Sequence, residues 1–208
     1  MAFSDYKNIS QVQKEFGVKY REESFIAAQA IEPPDSFREE FEFSRENIDV
    51  FTSEGSRTEL IITPILREVY KQYHNQYSFW IQKSITYSDE LNGTPDYIIA
   101  TKSALGKTVL ESPLVVVVEA KKNDFEQGWG QCLAELVAAQ KINEEANVPV
   151  HGIVTDGELW KFGKLAGDTF TSNIEGYTVG DLARLFGAIH FIFQSVSAIT
   201  SPAAASSS

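Results

Sequence analysis

The chain has 208 residues, is 43% hydrophobic and carries a formal net charge of −11. That size and composition suit one sizeable α/β domain with a real core, and the lone cysteine, Cys132, excludes an internal disulfide framework. The acidity argues against a protein that coats nucleic acid non-specifically.

No stretch approaches the ~18 consecutive apolar residues of a membrane span, and Met-Ala-Phe-Ser-Asp-Tyr-Lys at the start has no signal-peptide apolar region. A cytoplasmic protein in a reducing compartment, with no membrane partner, is expected. The charge is uneven. Residues 1–54 carry 6 basic and 12 acidic side chains, residues 55–122 carry 8 and 7, and residues 123–208 carry 4 and 10. The central segment is the one that is not acidic, which is permissive for a phosphate substrate without being evidence for one.

Residues 1–54 read as a peripheral segment packed on the core. Ser4 to Phe16 suggests a short helix closed by Gly17, Glu32-Pro33-Pro34-Asp35 is a break, and Ser36 to Ile48 is ambiguous in period. Ser56-Arg57-Thr58-Glu59 matches a capping box with Ser56 as N-cap. An apolar stripe through Ile61, Ile62, Ile65, Leu66, Val69 and Tyr73 follows to about His74, with Pro64 expected to kink or restart the helix.

Phe79 to Tyr87 alternates as a strand. Leu91-Asn92-Gly93-Thr94 turns into Pro95-Asp96 and the apolar segment Tyr97 to Ala100. Lys102 to Pro113 is a spacer. Leu114 to Val118 is a short, β-branched run suited to a strand buried on both faces, and it continues into Glu119-Ala120-Lys121. Asp124 caps a helix to about Ala146. Val148 to Thr155 and Glu158 to Leu165 flank Asp156-Gly157, a two-residue hairpin signal. Thr178 to Asp181 opens a last helix, and residues 199–208 read as a disordered tail.

The chemistry concentrates between Gly93 and Gln131. Side chains alternate along a strand, so Glu119 and Lys121 share a face. With Asp96, two acids and an amine stand where apolar strands meet the core edge, which is costly unless they are paired or bind something. Two close carboxylates want a proton or a cation, and an all-oxygen pair favours Mg²⁺. Lys122 beside them reads as a solvated strand-end lysine. Widely spaced His74, His151 and His190 suggest no zinc site, and no phosphate-binding Gly-Lys-Ser/Thr loop appears.

Glu-x-Lys alone is a weak signal, and Asp5-Tyr6-Lys7 and Pro34-Asp35 are decoys away from any apolar strand. Pro-Asp at a strand start, a buried strand ending in Glu-x-Lys and a long helix afterwards, in that order, resemble the PD-(D/E)XK, or restriction-endonuclease-like, nuclease superfamily. The resemblance covers roughly residues 56–165 and is closest to the N-terminal nuclease domain of type I restriction enzyme R subunits. It implies an α-β-β-β-α-β core with a mixed central sheet flanked by helices, spanning 55–198 with the N-terminal lobe and C-terminal helix added. It implies Mg²⁺-dependent phosphodiester hydrolysis with Mn²⁺ as substitute, Asp96 and Glu119 as metal ligands, and Lys121 as base or water-positioner.

The resemblance also implies roles for Glu59, at the start of the first helix, and Gln131, in the second. Read from the residues alone, Glu59 caps a helix and Gln131 lies on a polar face. The superfamily's Gln-x-x-x-Tyr motif is not met, because the fourth residue after Gln131 is Glu135. Implied partners are nucleic acid, DNA before RNA, with a homodimer or a separate specificity or motor subunit left open. A catalytically silent nuclease-like fold serving as a binding or scaffold module is the alternative, followed by an unrelated α/β protein with structural acids.

Overall fold

A computed structural model describes residues 2–121 and 124–200, with side chains through residue 197. Lys122, and residues 201–208 of the expected tail, lie outside the described residues. The fold is mixed α/β, with a mixed central sheet flanked by helices.

In chain order, α1 (Ile9–Phe16) and β1 (Lys19–Glu23) are followed by α2 (Asp35–Asn47), α3 (Glu54–Arg57) and α4 (Thr63–Tyr70). Next come β2 (Tyr77–Ile81), β3 (Ile85–Thr86), β4 (Asn92–Gly93), β5 (Tyr97–Lys102) and β6 (Leu110–Ala120). Helix α5 (Phe125–Asn143) precedes β7 (Val150–Thr155), β8 (Leu159–Ala166), β9 (Thr169–Asn173) and β10 (Tyr177–Thr178), and α6 (Leu182–Thr200) ends the described chain. The large sheet runs β1-β9-β8-β7-β6-β5-β2 with β10 beside β8, while β3 and β4 form a separate ribbon. The β6/β7 and β1/β9 pairs are parallel and the others antiparallel.

Alternation along β6 divides the core. Val116, Val118 and Ala120 join Ile61, Ile65, Phe186, Ile189 and Phe193 under α4 and α6. Val117 joins Val154, Leu133 and Leu136 under α5. Burial on both faces explains why this strand reads as an unbroken apolar run.

Several expected boundaries move. The helix predicted from Ser56 starts three residues earlier. Ser53 is the N-cap and its side chain accepts the Ser56 N–H at 3.0 Å. Pro64 has no N–H and its ring would crowd the carbonyl four residues back. A single π-helical turn, Thr58–Ile62, intervenes before α4 resumes at Thr63, widening the helix where proline could not sit in a regular one.

The strand expected over 79–87 breaks at Gln82, whose φ of 48° turns the chain out of the sheet, so 85–86 pair with β4 instead. The spacer before the third strand is shorter than expected, because β6 begins at Leu110. Register shifts on either side of Ala100 leave Val115 on one side and Ser112 and Pro113 on the other as extra residues opposite β5, and a bulge tolerates a proline that a regular ladder would not. The β7/β8 hairpin is wider than a two-residue turn, since its last pair is Thr155↔Trp160.

Candidate functional site

The end of β6, the start of β5 and the buried flank of α5 meet at one place. Val117 points under α5, so Glu119 and Lys121, two and four residues on, point there too. The β5/β6 ladder ends at Tyr97↔Val118, which puts Asp96 opposite Glu119. Asp96 Oδ2 accepts the Ala120 N–H at 2.8 Å, fixing the aspartate to the neighbouring strand. The Lys121 N–H donates to the Thr155 carbonyl at 2.9 Å, so the lysine is held to β7 just past the end of β6.

Glu119 is fully buried, and Lys121 Nζ lies 3.6 Å from its Oε2. That pair is too long to be a good hydrogen bond. With its carboxylate ionised, neither Glu119 oxygen has a hydrogen-bond donor. Burial therefore pushes its pKa up to about 7, with the Asp96 charge adding to the rise and Glu135 and Lys121 opposing it. Burial also raises Asp96, against the pull of the Ala120 N–H and Lys121, and the Glu54 charge adds to the rise. For Lys121, burial favours the neutral amine, but Glu119, Asp96 and Glu54 outweigh it and hold the ammonium above its ordinary range.

Two residues that sequence reasoning missed belong here. Glu135 is fully buried on α5, and Gln131 Nε2 donates to its Oε1 at 3.3 Å. Its Oε2 has no donor, and burial followed by the Glu119 charge raises its pKa well above the carboxylate range. Glu119 and Glu135 thus face each other electrostatically across the interface between β6 and α5, and burial holds both towards their neutral forms. The signal lay in Gln131-x-x-x-Glu135, a one-turn spacing that places both side chains on one helix flank.

Glu54 is the second. It stands in the first turn of α3 and acts electrostatically on both Asp96 and Lys121. No periodicity separated it from the other acids of residues 1–54.

Asp96, Glu119, Lys121 and, through Glu135, Gln131 are therefore brought together. Gln131 is buried at 8% exposure, and the polar-face reading fails because it lies on the flank of α5 that carries buried Glu135 and, at Gly128, packs on Val154 and Lys121. Glu59 is not brought in. It is exposed on the π-helical turn and lines a separate groove between α2 and α4, with Glu40, Arg67 and Lys71. The π-helical turn shifts the phase of the helix, and Glu54 takes the place beside the acids. Of the decoys, Pro34-Asp35 opens α2 and Asp5 sits in a 3₁₀ turn.

The donor set fits a hard cation in a limited way. Glu119's unpartnered oxygens and Asp96 supply two carboxylates, as many as Mg²⁺ commonly takes from a protein when water and phosphate complete its shell. Among the described residues, no group of three His, Cys, Asp or Glu side chains is arranged to hold a metal. No helix there is long and apolar enough to cross a membrane. No protein-family model matches the chain, and no curated protein is significantly similar to it.

Proposed function

We propose that this protein is a divalent-metal-dependent nuclease of the PD-(D/E)XK type, cutting phosphodiester bonds of nucleic acid, DNA in preference to RNA. The observation that carries the reading is Glu119: a fully buried carboxyl beside Asp96, with the Lys121 ammonium 3.6 Å from its Oε2. The element order supports it as well. Helices α3 and α4, antiparallel β2, β5 and β6, helix α5 and then β7 parallel to β6 follow an α-β-β-β-α-β plan.

In this reading Asp96 and Glu119 hold Mg²⁺, or Mn²⁺ in its place. When bound, such an ion would supply Lewis acidity, polarising a phosphoryl oxygen and lowering the pKa of a water. The residues do the rest. The Ala120 N–H keeps Asp96 oriented, and Glu135, itself held by Gln131, keeps Glu119 in place. Lys121 is an ammonium in the metal-free protein, so it is suited to donate to the attacking water or to offset charge gathering on the phosphate. Glu54 tunes both Asp96 and Lys121 from α3.

The test is cleavage of single- and double-stranded DNA and RNA with Mg²⁺ or Mn²⁺, comparing wild type with Lys121→Met and Asp96→Ala. Lys121→Met should keep metal binding and lose cleavage by ~100-fold or more, the scale for one electrostatic or acid–base contributor. Equal cutting by all three proteins would sink the proposal.

A second reading, a silent nuclease-like binding or scaffold module, is favoured by one observation. The Glu119–Glu135 pair can satisfy itself with a shared proton and so needs no ion. Wild type that binds Mn²⁺ but cuts none of the substrates would select it.

A further inference from the structure

Beside the candidate site, α1 and the first turns of α5 enclose an open groove of about 460 Å³. Its walls include Asn8, Gln13, Tyr20, Phe125, Glu126 and Trp129. The rings form a continuous series: Tyr20 lies 6.1 Å from Phe170, and Phe170 lies 5.3 Å from Trp129. Phe125 and Trp129 are one helical turn apart on the same flank of α5. Tyr20 is 45% exposed, so this aromatic surface is open at one end.

A cation stands at the edge. The Lys161 ammonium lies over the Phe125 ring, 5.5 Å from its centre. The ladders place that lysine relative to the acids: Glu119 pairs with Val154, and Val154 with Lys161. Laterally paired residues share a face, so Lys161 points to the same side of the sheet as Glu119, two strand spacings or roughly 10 Å away. Lys121 closes the gap, its side chain packing against Gly128 in the turn after Phe125.

From these positions we infer that the groove is a subsite for single-stranded nucleic acid: a flipped or unpaired base stacks against exposed Tyr20 and half-buried Phe125, above buried Trp129, while the Lys161 ammonium leaves the Phe125 ring to meet the adjoining phosphate. The inference rests on the nuclease reading and names its substrate class. Aromatic faces bind any base but need that base's own faces free, which a duplex denies them. The positive charge sits where the backbone of such a strand would pass on its way to the carboxylates. Among the described lining residues Glu126 is acidic, and Glu22 accepts the Tyr20 hydroxyl at 2.7 Å; both carboxylates oppose a polyanion.

The test is fluorescence anisotropy with end-labelled 12-nucleotide DNA and RNA strands, alone and as blunt duplexes, in EDTA so that binding does not depend on the metal site. Wild type should bind single strands at least 10-fold tighter than duplexes. Phe125→Ala should lose about 10-fold or more of that affinity, on the scale of one base–aromatic stack. Tyr20→Ala, at an exposed position that leaves the fold intact, should lose several-fold. Glu126→Lys should gain affinity and steepen its salt dependence.

Single-strand affinity unchanged in both aromatic variants, or equal binding of duplex and single strand by wild type, overturns the subsite and leaves the nuclease reading standing. Tight single-strand binding that falls in these variants, without any cleavage when Mg²⁺ is supplied, supports the subsite and overturns the nuclease. Comparing the DNA and RNA arms assigns the sugar.

Discussion

Glu119 and Glu135 are both fully buried, one at the end of β6 and the other about three turns into α5, and the Glu119 charge adds to the cost of ionising Glu135. A carboxyl pair at such a junction is costly to ionise, and that cost depends on pH. Burial raises both groups above their ordinary value of 4.5, Glu119 to about 7. Between those pH values the folded protein keeps a proton that the unfolded chain has released, so the unfolded state is the one favoured as pH rises. Stability should therefore fall from about pH 4.5 to 7, and Glu119→Gln should flatten that part of the profile relative to wild type. Urea titrations of both proteins across the window check this, and parallel profiles would contradict it.

Replacing Glu135 by glutamine keeps the shape and the bond from Gln131 but removes one acid. Glu119 then loses a neighbouring carboxyl and gains an amide N–H donor, which favours its ionised form. Its pKa should drop, read by carboxyl-labelled NMR titration. Glu135→Leu should instead leave Glu119 without any donor on that side and raise its pKa further.

Glu54 and Glu59 make opposite predictions from neighbouring positions. Glu54→Gln removes a charge felt by Asp96 and Lys121, so Mn²⁺ affinity should fall by roughly 10-fold at low ionic strength. Glu59→Gln alters only the groove between α2 and α4 and should leave that affinity unchanged. Calorimetric titration of both variants decides, and the reverse order would return Glu59 to the site.

Ser53, not Ser56, starts α3, so Ser53→Ala should cost about 1 kcal/mol. Ser56→Ala removes an exposed bond to the Asp49 carbonyl and should cost only a few tenths of that. Thermal melts of the pair distinguish the two caps.

Gly128 has no room for a side chain. A Cβ there would lie 2.7 Å from Val154 Cγ1 and 3.3 Å from Lys121 Cγ. Gly128→Ala should destabilise the fold by roughly 1–3 kcal/mol, as overpacking does, despite alanine's better helix propensity. Cleavage should fall more than the melting shift explains, because Lys121 has to move.

How much of this was legible in the sequence follows from the range of the forces. The alternation that aims Glu119 and Lys121 at one face, the Asp124 cap of α5 and the apolar stripe of α6 are local, and reading along the chain found them. The doubly buried strand was legible because burial on both faces leaves only apolar residues. Tertiary packing decided the rest. Whether Gln131 faced water depended on which flank of α5 docks on the sheet, where Gly128 meets Val154 and Gln131 meets buried Glu135. Whether Glu54 or Glu59 stood beside the acids depended on one π-helical turn ahead of Pro64, which shifts the helical phase by an amount no hydrophobic period records. The partnership of Glu119 with Glu135 needed a strand end docked on a helix flank: the chain fixes each carboxyl on its own element, and only burial at that junction makes both costly to ionise.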